Sequence, residues 1–215
     1  MFIMCLPQMV KSHLPVTAVI LAGGRGIRIG GDKGLQVLQG KSLISWVLAS
    51  VKHDCVEVLI NTNSAQAAYA DFGCRVIADT IPDWPGPLGG LHAALLNAKT
   101  EYVLTVPCDT PFLPDNLISR LSQELNLSAS EAAVAVSGGS RQPTIALYRL
   151  SVLPKLLDYL DSGGRKVNDW LDCLRLSEVV FDNVECFDNI NSREDLAEAS
   201  QKLAAARGGV AEKKR

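Results

Sequence analysis

Val16-Thr17-Ala18-Val19-Ile20-Leu21-Ala22 runs straight into Gly23-Gly24-Arg25-Gly26-Ile27-Arg28-Ile29-Gly30-Gly31-Asp32-Lys33-Gly34. The first part is apolar at nearly every position and rich in β-branched residues. Such a run suits a strand buried on both faces, at the centre of a parallel sheet. The second part cannot continue that strand. Its glycines let backbone N–H groups turn towards an anion with no Cβ in the way. Arg25, Arg28 and Lys33 add positive charge suited to several phosphates.

Outward from this point the chain alternates strand and helix. The pattern predicts a helix over 42–52, a strand over 56–60, a helix over 64–72 and a short strand over 74–78. Pro82, Pro85, Gly86 and Pro87 mark a loop, a helix follows over 88–98, and a buried strand over 102–106 ends at Pro107. The second half is less regular. A helix over 114–125 starts on a proline, and strands over 132–136 and 144–148 face each other across a Gly-Ser turn. Helices over 152–160 and 167–174, a strand over 179–181 and a helix from Ser192 complete the chain. Glu194 and Asp195 suit the positive end of that last helix. The alternation predicts an α/β fold: one three-layer domain with a mostly parallel sheet and ligands beyond the carboxyl ends of its strands.

The chain has 215 residues, 47% of them hydrophobic, and a formal net charge of -2. That length fits one domain with a real core, and the composition excludes a disordered chain. The charge balance argues against a nucleic-acid partner, and no apolar run is long enough to span a membrane. Residues 1–15, apolar but without a basic leader or a small-residue cleavage site, read as an extension, and Met9 is an alternative start. The six cysteines form no C-x-x-C pair, so reduced thiols and a cytoplasmic setting are expected. The tail from 201 to 215 is expected to be disordered.

Three readings compete for the glycine loop. A nicotinamide fingerprint fits Gly24, Gly26 and Gly30 loosely. Its helix should begin inside the motif, where more glycines stand, and its next strand should end on an acid, where Asn61 stands. A Walker-type loop at Gly40-Lys41-Ser42 has the wrong spacing from Gly34, and the stretch reads better as a turn before a helix. The third reading takes L-A-G-G-x-G, R-x-G-G-D-K-G and L-x-x-L-x-G-K-S-L in order. That series resembles the opening of the molybdenum cofactor guanylyltransferase family of nucleotidyltransferases.

Asp109, in Pro107-Cys108-Asp109-Thr110-Pro111, stands at the carboxyl edge of its strand, on the side of the glycine loop. A carboxylate there, near phosphates, is a natural ligand for Mg²⁺. Cys108 has no histidine beside it in sequence and reads as a structural thiol. Asn61 and Asp79 end neighbouring strands on the same edge. His13, His53 and His92 show no metal-site spacing, and His92 reads as a satisfied helix residue.

The resemblance, which covers roughly residues 16 to 200, implies a Rossmann-like nucleotidyltransferase fold of the glycosyltransferase-A kind. It implies a nucleotide half over 16–112 and a pterin-acceptor half over 113–200. It assigns Leu21, Ala22, Gly23, Gly24, Lys33, Asn61, Asp79 and Asp109 to the nucleotide, with Asp109 on the metal. It assigns Pro143, Arg165, Asn189 and Asn191 to the pterin side, through P-T-I-A-L, R-x-V and N-x-N-S-x-E-D-L. The implied reaction transfers GMP from GTP to molybdopterin and releases pyrophosphate, with Arg28, Lys33 and Asp109 as the catalytic groups. A monomer is expected, with transient contacts to other proteins of molybdenum cofactor biosynthesis or molybdoenzyme maturation. A cytidylyltransferase, another sugar- or alcohol-phosphate nucleotidyltransferase and a non-catalytic nucleotide- or pterin-binding chaperone are the alternatives.

Overall fold

The computed structural model describes residues 14–23, 32–82 and 86–212, with side chains as far as 204. Strand β1 (Val16–Leu21) lies at the heart of the sheet and is buried along almost its whole length. After the glycine loop come β2 (Val37–Leu38), β3 (Lys41–Ser42), α1 (Leu43–Val51), β4 (Glu57–Asn61), α2 (Gln66–Ala70) and β5 (Arg75–Ile77). Then come α3 (Pro87–Asn97), β6 (Tyr102–Pro107), α4 (Leu117–Leu127), β7 (Ala132–Ser137) and β8 (Ser140–Arg149). The chain closes with α5 (Leu153–Asp161), α6 (Val167–Asp172), β9 (Leu176–Phe181) and α7 (Arg193–Glu212).

The seven-stranded sheet has the order β5-β4-β1-β6-β8-β7-β9. Only β8 runs against its neighbours; β1 is parallel to both β4 and β6, and β7 is parallel to β9. The expected mostly parallel α/β sheet is therefore what the chain builds. Alternate residues of each strand feed opposite layers, as the two-residue period of a strand requires. Val16, Ala18 and Ile20 pack with Ile44 and Val47 of α1 and Leu117 and Leu121 of α4. Val19, Leu59 and Val103 pack on the other face with Leu88 and Leu91 of α3, Leu156 of α5 and Trp170 of α6.

Several boundaries differ from the sequence reading, each for a local reason. Gly40-Lys41-Ser42 belongs to a tight hairpin, β2 to β3, turned by Gln39 at φ 51° and Gly40 at φ 80°. Ser42 occupies the N-cap position of α1, but its hydroxyl meets the Ser45 hydroxyl at 2.7 Å instead of a backbone amide. Helix α4 begins at Leu117 rather than at Pro114, whose carbonyl accepts from the Leu117 amide. Helix α2 is shorter than expected because Ser64 is tied into a turn by Thr62, whose hydroxyl donates to the Ser64 carbonyl at 2.7 Å.

The largest correction concerns the carboxyl end. The tail expected to be disordered from residue 201 is helical to Glu212. Leu196, Ala199 and Leu203 repeat at helical spacing and pack on Leu38, Leu43 and Ile190. Ser192 and Asp195 start this helix as a reciprocal cap. The Asp195 carboxylate accepts from the amides of Asn191 (2.7 Å) and Ser192 (2.9 Å), and the Ser192 hydroxyl accepts from the Asp195 amide at 3.1 Å. Those amides hold the Asp195 carboxyl below its ordinary range. No helix among the described residues is long and apolar enough to cross a membrane.

Candidate active site

The carboxyl ends of β1, β4 and β6 open onto a cavity of about 270 Å³. It is lined by Leu21, Gly23, Lys33, Asn61, Asp79 and Asp109, with Pro87, Cys108 and Thr144 among the rest. The cavity exists because β8 leaves β6. Their pairing runs from Tyr102↔Arg149 to Thr105↔Ala146 and stops there. Opposite β7, the register of β8 shifts between Val134↔Ala146 and Val136↔Arg141, and Pro143 lies in that irregularity. Proline has no N–H to give a ladder, so it fits where pairing is interrupted. Pro143 itself does not line the cavity; its neighbour Thr144 does.

Lys33 and Asp109 meet at the mouth of this cavity. The Lys33 Nζ pairs with Asp109 Oδ2 and also donates to Asn191 Oδ1 at 2.6 Å. Both charged side chains are largely shielded, with 20% and 12% of their surface exposed, so water screens the pair only in part. Lys33 is aimed from below. Asp32 begins the 3-10 turn Lys33–Leu35 and accepts from the hydroxyl of buried Tyr69 at Oδ1 and from the Ser64 hydroxyl at Oδ2 (3.2 Å). Burial, then the hydrogen bond to Asp32, pushes the Tyr69 phenol far above its usual range, so it remains a donor. A Cβ at Gly34 would lie 2.5 Å from the Tyr69 hydroxyl, so a larger residue there would displace the tyrosine that holds Asp32.

Asp109 is held by the second half of the chain. Its carbonyl accepts from the Ile190 amide at 2.9 Å, and the Thr110 hydroxyl donates to Asn189 Oδ1 at 2.7 Å. The Asn189–Asn191 stretch thus fastens to the Pro107–Pro111 turn. Asn191 reaches Lys33, whereas Asn189 lines a different cavity. Cys108 is buried, and burial raises its thiol well above the usual range. A thiol so disposed is a poor nucleophile.

At the other end of the cavity, Asn61 and Asp79 stand together. Asn61 Nδ2 donates to Asp79 Oδ1 at 2.9 Å, and Asn63 Nδ2 donates to Asp79 Oδ2 at 2.8 Å. Gly90 of α3 makes room for Asn61, because a Cβ there would lie 2.5 Å from Asn61 Oδ1. His92, as expected, is a satisfied helix residue; its Nδ1 meets the Thr80 hydroxyl at 3.0 Å, and burial lowers its pKa.

Some expected site residues fall elsewhere. Gly24 and Arg28 lie outside the described residues. Arg165 is exposed and closes the end of α5, donating from Nη1 to the carbonyls of Leu160 (2.8 Å) and Gly164 (2.7 Å). Asn63, Tyr69 and Thr110 escaped the sequence reading. The string Asn61-Thr62-Asn63-Ser64 at a strand end was a legible signal for the first, since Asn and Ser there build side-chain turns.

A larger cavity of about 480 Å³ lies beside α7. Its lining includes the carboxylates of Glu185, Asp188, Asp195 and Glu198 against the single cation of Lys202. That sign of charge repels phosphates. The smaller cavity, with Gly23 and Lys33 in its lining, is the one suited to a nucleotide.

A family model described as the MobA-like NTP transferase domain matches residues 18–177. The molybdenum cofactor guanylyltransferase of Cupriavidus pinatubonensis is 42% identical over 187 residues, covering 84% of this chain and 94% of the relative. Its namesake in Ralstonia nicotianae is 40% identical over 197 residues, with 87% and 97% covered. Among solved structures, the molybdopterin-guanine dinucleotide biosynthesis protein A of Archaeoglobus fulgidus shares the fold, with a TM-score of 0.74, 24% identity, and 88% and 99% of the two chains covered. The 4-diphosphocytidyl-2C-methyl-D-erythritol synthase of Anaerococcus prevotii shares it too, with a TM-score of 0.73 at 14% identity over 89% and 99%. With the sheet, the edge cavity and these relatives in agreement, the chain belongs to the MobA-like NTP transferase family, as a nucleotidyltransferase of the molybdenum cofactor guanylyltransferase group.

Proposed function

We propose that this protein transfers GMP from GTP to the terminal phosphate of molybdopterin and releases pyrophosphate. The observation that carries the reading is the meeting of Lys33, Asp109 and Asn191 at one end of a cavity whose other end holds Asp79. The strand order β5-β4-β1-β6 sets these two ends on one sheet edge, which suits a nucleotide lying along the strand termini, base at Asp79 and phosphates at Gly23 and Lys33. The names of the relatives supply the base and the acceptor.

In this reaction an oxygen of the acceptor phosphate bonds to the α-phosphorus. The bond from that phosphorus to the bridging oxygen breaks, and pyrophosphate departs with the electron pair. The acceptor oxygen is already anionic, so no general base is required. Charge neutralisation and alignment carry the acceleration. Lys33 stabilises negative charge on the α-phosphate and the departing pyrophosphate, and Arg28 assists from the glycine loop. The backbone amides from Gly23 onward bind the phosphates. Asn191 and Asn189, fastened to the Asp109 turn, place the acceptor side against the nucleotide side.

Asp109 is the residue that would hold Mg²⁺. Among the described residues no cluster of three or more His, Cys, Asp or Glu side chains is gathered for a metal. A single carboxylate fits an ion that takes its remaining ligands from phosphates and water. When bound, the cation supplies neutralisation of phosphate charge.

The test is mass spectrometry of the pterin after incubation with GTP and Mg²⁺. The expected product is the guanine dinucleotide, formed with release of one pyrophosphate. Product from CTP in preference to GTP, or no adduct with any nucleoside triphosphate, overturns the reading.

A further inference from the structure

Asp79 is fixed at three points. Its two carboxylate oxygens each accept one amide hydrogen, Oδ1 from Asn61 at 2.9 Å and Oδ2 from Asn63 at 2.8 Å. Its own backbone N–H donates to Asn63 Oδ1 at 2.9 Å. Asn63 therefore closes a ring on Asp79, giving to its side chain and taking from its main chain. The turn that carries Asn63 is itself braced. The Thr62 amide donates to the Ile77 carbonyl at 2.9 Å, and the Thr62 hydroxyl accepts from the Ser64 amide at 3.2 Å. Asp79 lines the cavity and Asn63 does not.

A carboxylate has about four acceptor sites, two on each oxygen. The two asparagines occupy one on each and leave one on each. Since Asp79 lines the cavity, the remaining acceptor on each oxygen is what it can offer a ligand there. Guanine presents a matching pair of donors, N1–H and the 2-amino group, whereas adenine and cytosine present no such pair. We propose that Asn63 is a positioning residue for base selection: it locks the Asp79 carboxylate in the plane that accepts both guanine donors. This rests on the proposed guanine-nucleotide reading of Asp79, which it deepens.

The test compares equilibrium binding of GTP and ITP to the full chain with Mg²⁺ present, for the unaltered protein, Asn63→Ala and Asn63→Asp. ITP keeps N1–H and lacks the amine, so the ratio of the two dissociation constants reads the second hydrogen bond alone. Asn63→Asp keeps the acceptor for the Asp79 amide, removes the donor and sets a second carboxylate against that of Asp79. Melting temperatures check that the turn is retained. The unaltered protein is expected to prefer GTP by at least about tenfold, the value of one hydrogen bond to a charged group. Both variants are expected to reduce that preference to about threefold or less, chiefly by weakening GTP.

A preference kept in both variants overturns the role of Asn63 while leaving Asp79 as the base reader. A preference lost in Asn63→Ala but kept in Asn63→Asp reduces Asn63 to a support for the main chain, which also overturns the proposal. Equal binding of GTP and ITP by the unaltered protein shows that Asp79 does not read the amine. In that case the underlying reading fails first, before any variant is considered.

Discussion

Lys33 joins three features that are far apart in sequence: the loop after β1, the turn after β6 and the stretch before α7. Its ammonium holds Asp109 and Asn191 together, and Tyr69 steadies its neighbour Asp32. Lys33→Ala removes the cation at the point where phosphate charge develops. We expect kcat to fall by about 10²- to 10³-fold, as on loss of one preorganised electrostatic contact, while KM for GTP changes much less. Steady-state kinetics with GTP as the varied substrate measure this; an unchanged kcat removes Lys33 from the reaction. Lys33 and Asp109 were legible in the sequence because glycines and prolines around them mark a strand end and a constrained turn. Tyr69 was not, since a tyrosine on a short helix reads as core, which it also is. That Asn191 serves Lys33 was hidden as well, because only the folded chain shows where a segment 158 residues away comes to rest.

Elements carry their own constraints. Helix α3 starts at Pro87, after Gly86 at φ 65°, and brings Gly90 against β1 and β4. A Cβ at Gly90 would lie 2.5 Å from both Asn61 Oδ1 and Leu21 Cδ2. Gly90→Ala should therefore cost about 1–3 kcal/mol of stability and weaken GTP binding by displacing Asn61. Denaturant melts and nucleotide titrations test the two effects; a variant as stable and as tight as the parent refutes the close approach. The helical stretch after Pro87 was legible from composition, but the reason for its glycines was not, since only the opposing strand supplies it.

At the far side of the sheet, Glu131 ties the start of β7 to α5 and to the chain entering β9. Its carboxylate accepts from Lys155 Nζ at 2.8 and 3.0 Å and from the Arg175 amide at 3.1 Å. The Lys155 hydrogen bond, first among the causes, holds the Glu131 carboxyl below its ordinary value of 4.5. A carboxyl lowered by folding adds stability above its unfolded pKa and loses it as pH falls through its folded pKa. Glu131→Gln should thus destabilise by about 1–2 kcal/mol near neutral pH, a value reduced by the half-exposed lysine. The difference should shrink as pH falls below the ordinary glutamate range. Thermal melts of both proteins across pH measure the gap, and a gap that stays constant in acid contradicts the assignment. The sequence reading began this strand at 132 and saw no role for Glu131, because a glutamate before a strand resembles any solvated charge.

At the scale of the whole molecule, the residues before and after 112 share one sheet and one buried cluster. The boundary near residue 112 falls between β6 and β8, which are hydrogen-bonded neighbours. Ile20, Ile60 and Val106 lie in the same buried cluster as Ala133, Ile145 and Leu147. Helix α7 adds a second tie, burying Ala199 against Leu38 and Leu43 and placing the Ser200 hydroxyl 2.7 Å from Gln39 Nε2. The alternation of strand and helix made the sheet legible. The return of α7 to the first half was not, because its apolar stripe is narrow and its partners lie some 160 positions earlier. Two halves joined through a continuous ladder and a common core unfold together. The tryptophans can report this separately: Trp46 sits on α1 in the first half and Trp170 on α6 in the second. With Trp84 replaced by Phe, variants keeping only Trp46 or only Trp170 should each unfold in urea at the midpoint given by far-ultraviolet circular dichroism of the same variant. The Trp170→Phe change will lower its own midpoint by loss of core volume, so the comparison is between probes within one variant. Separate midpoints would divide the chain into independent units and cut the connection through which Asn191, at one end of the sequence, holds Lys33 near the other.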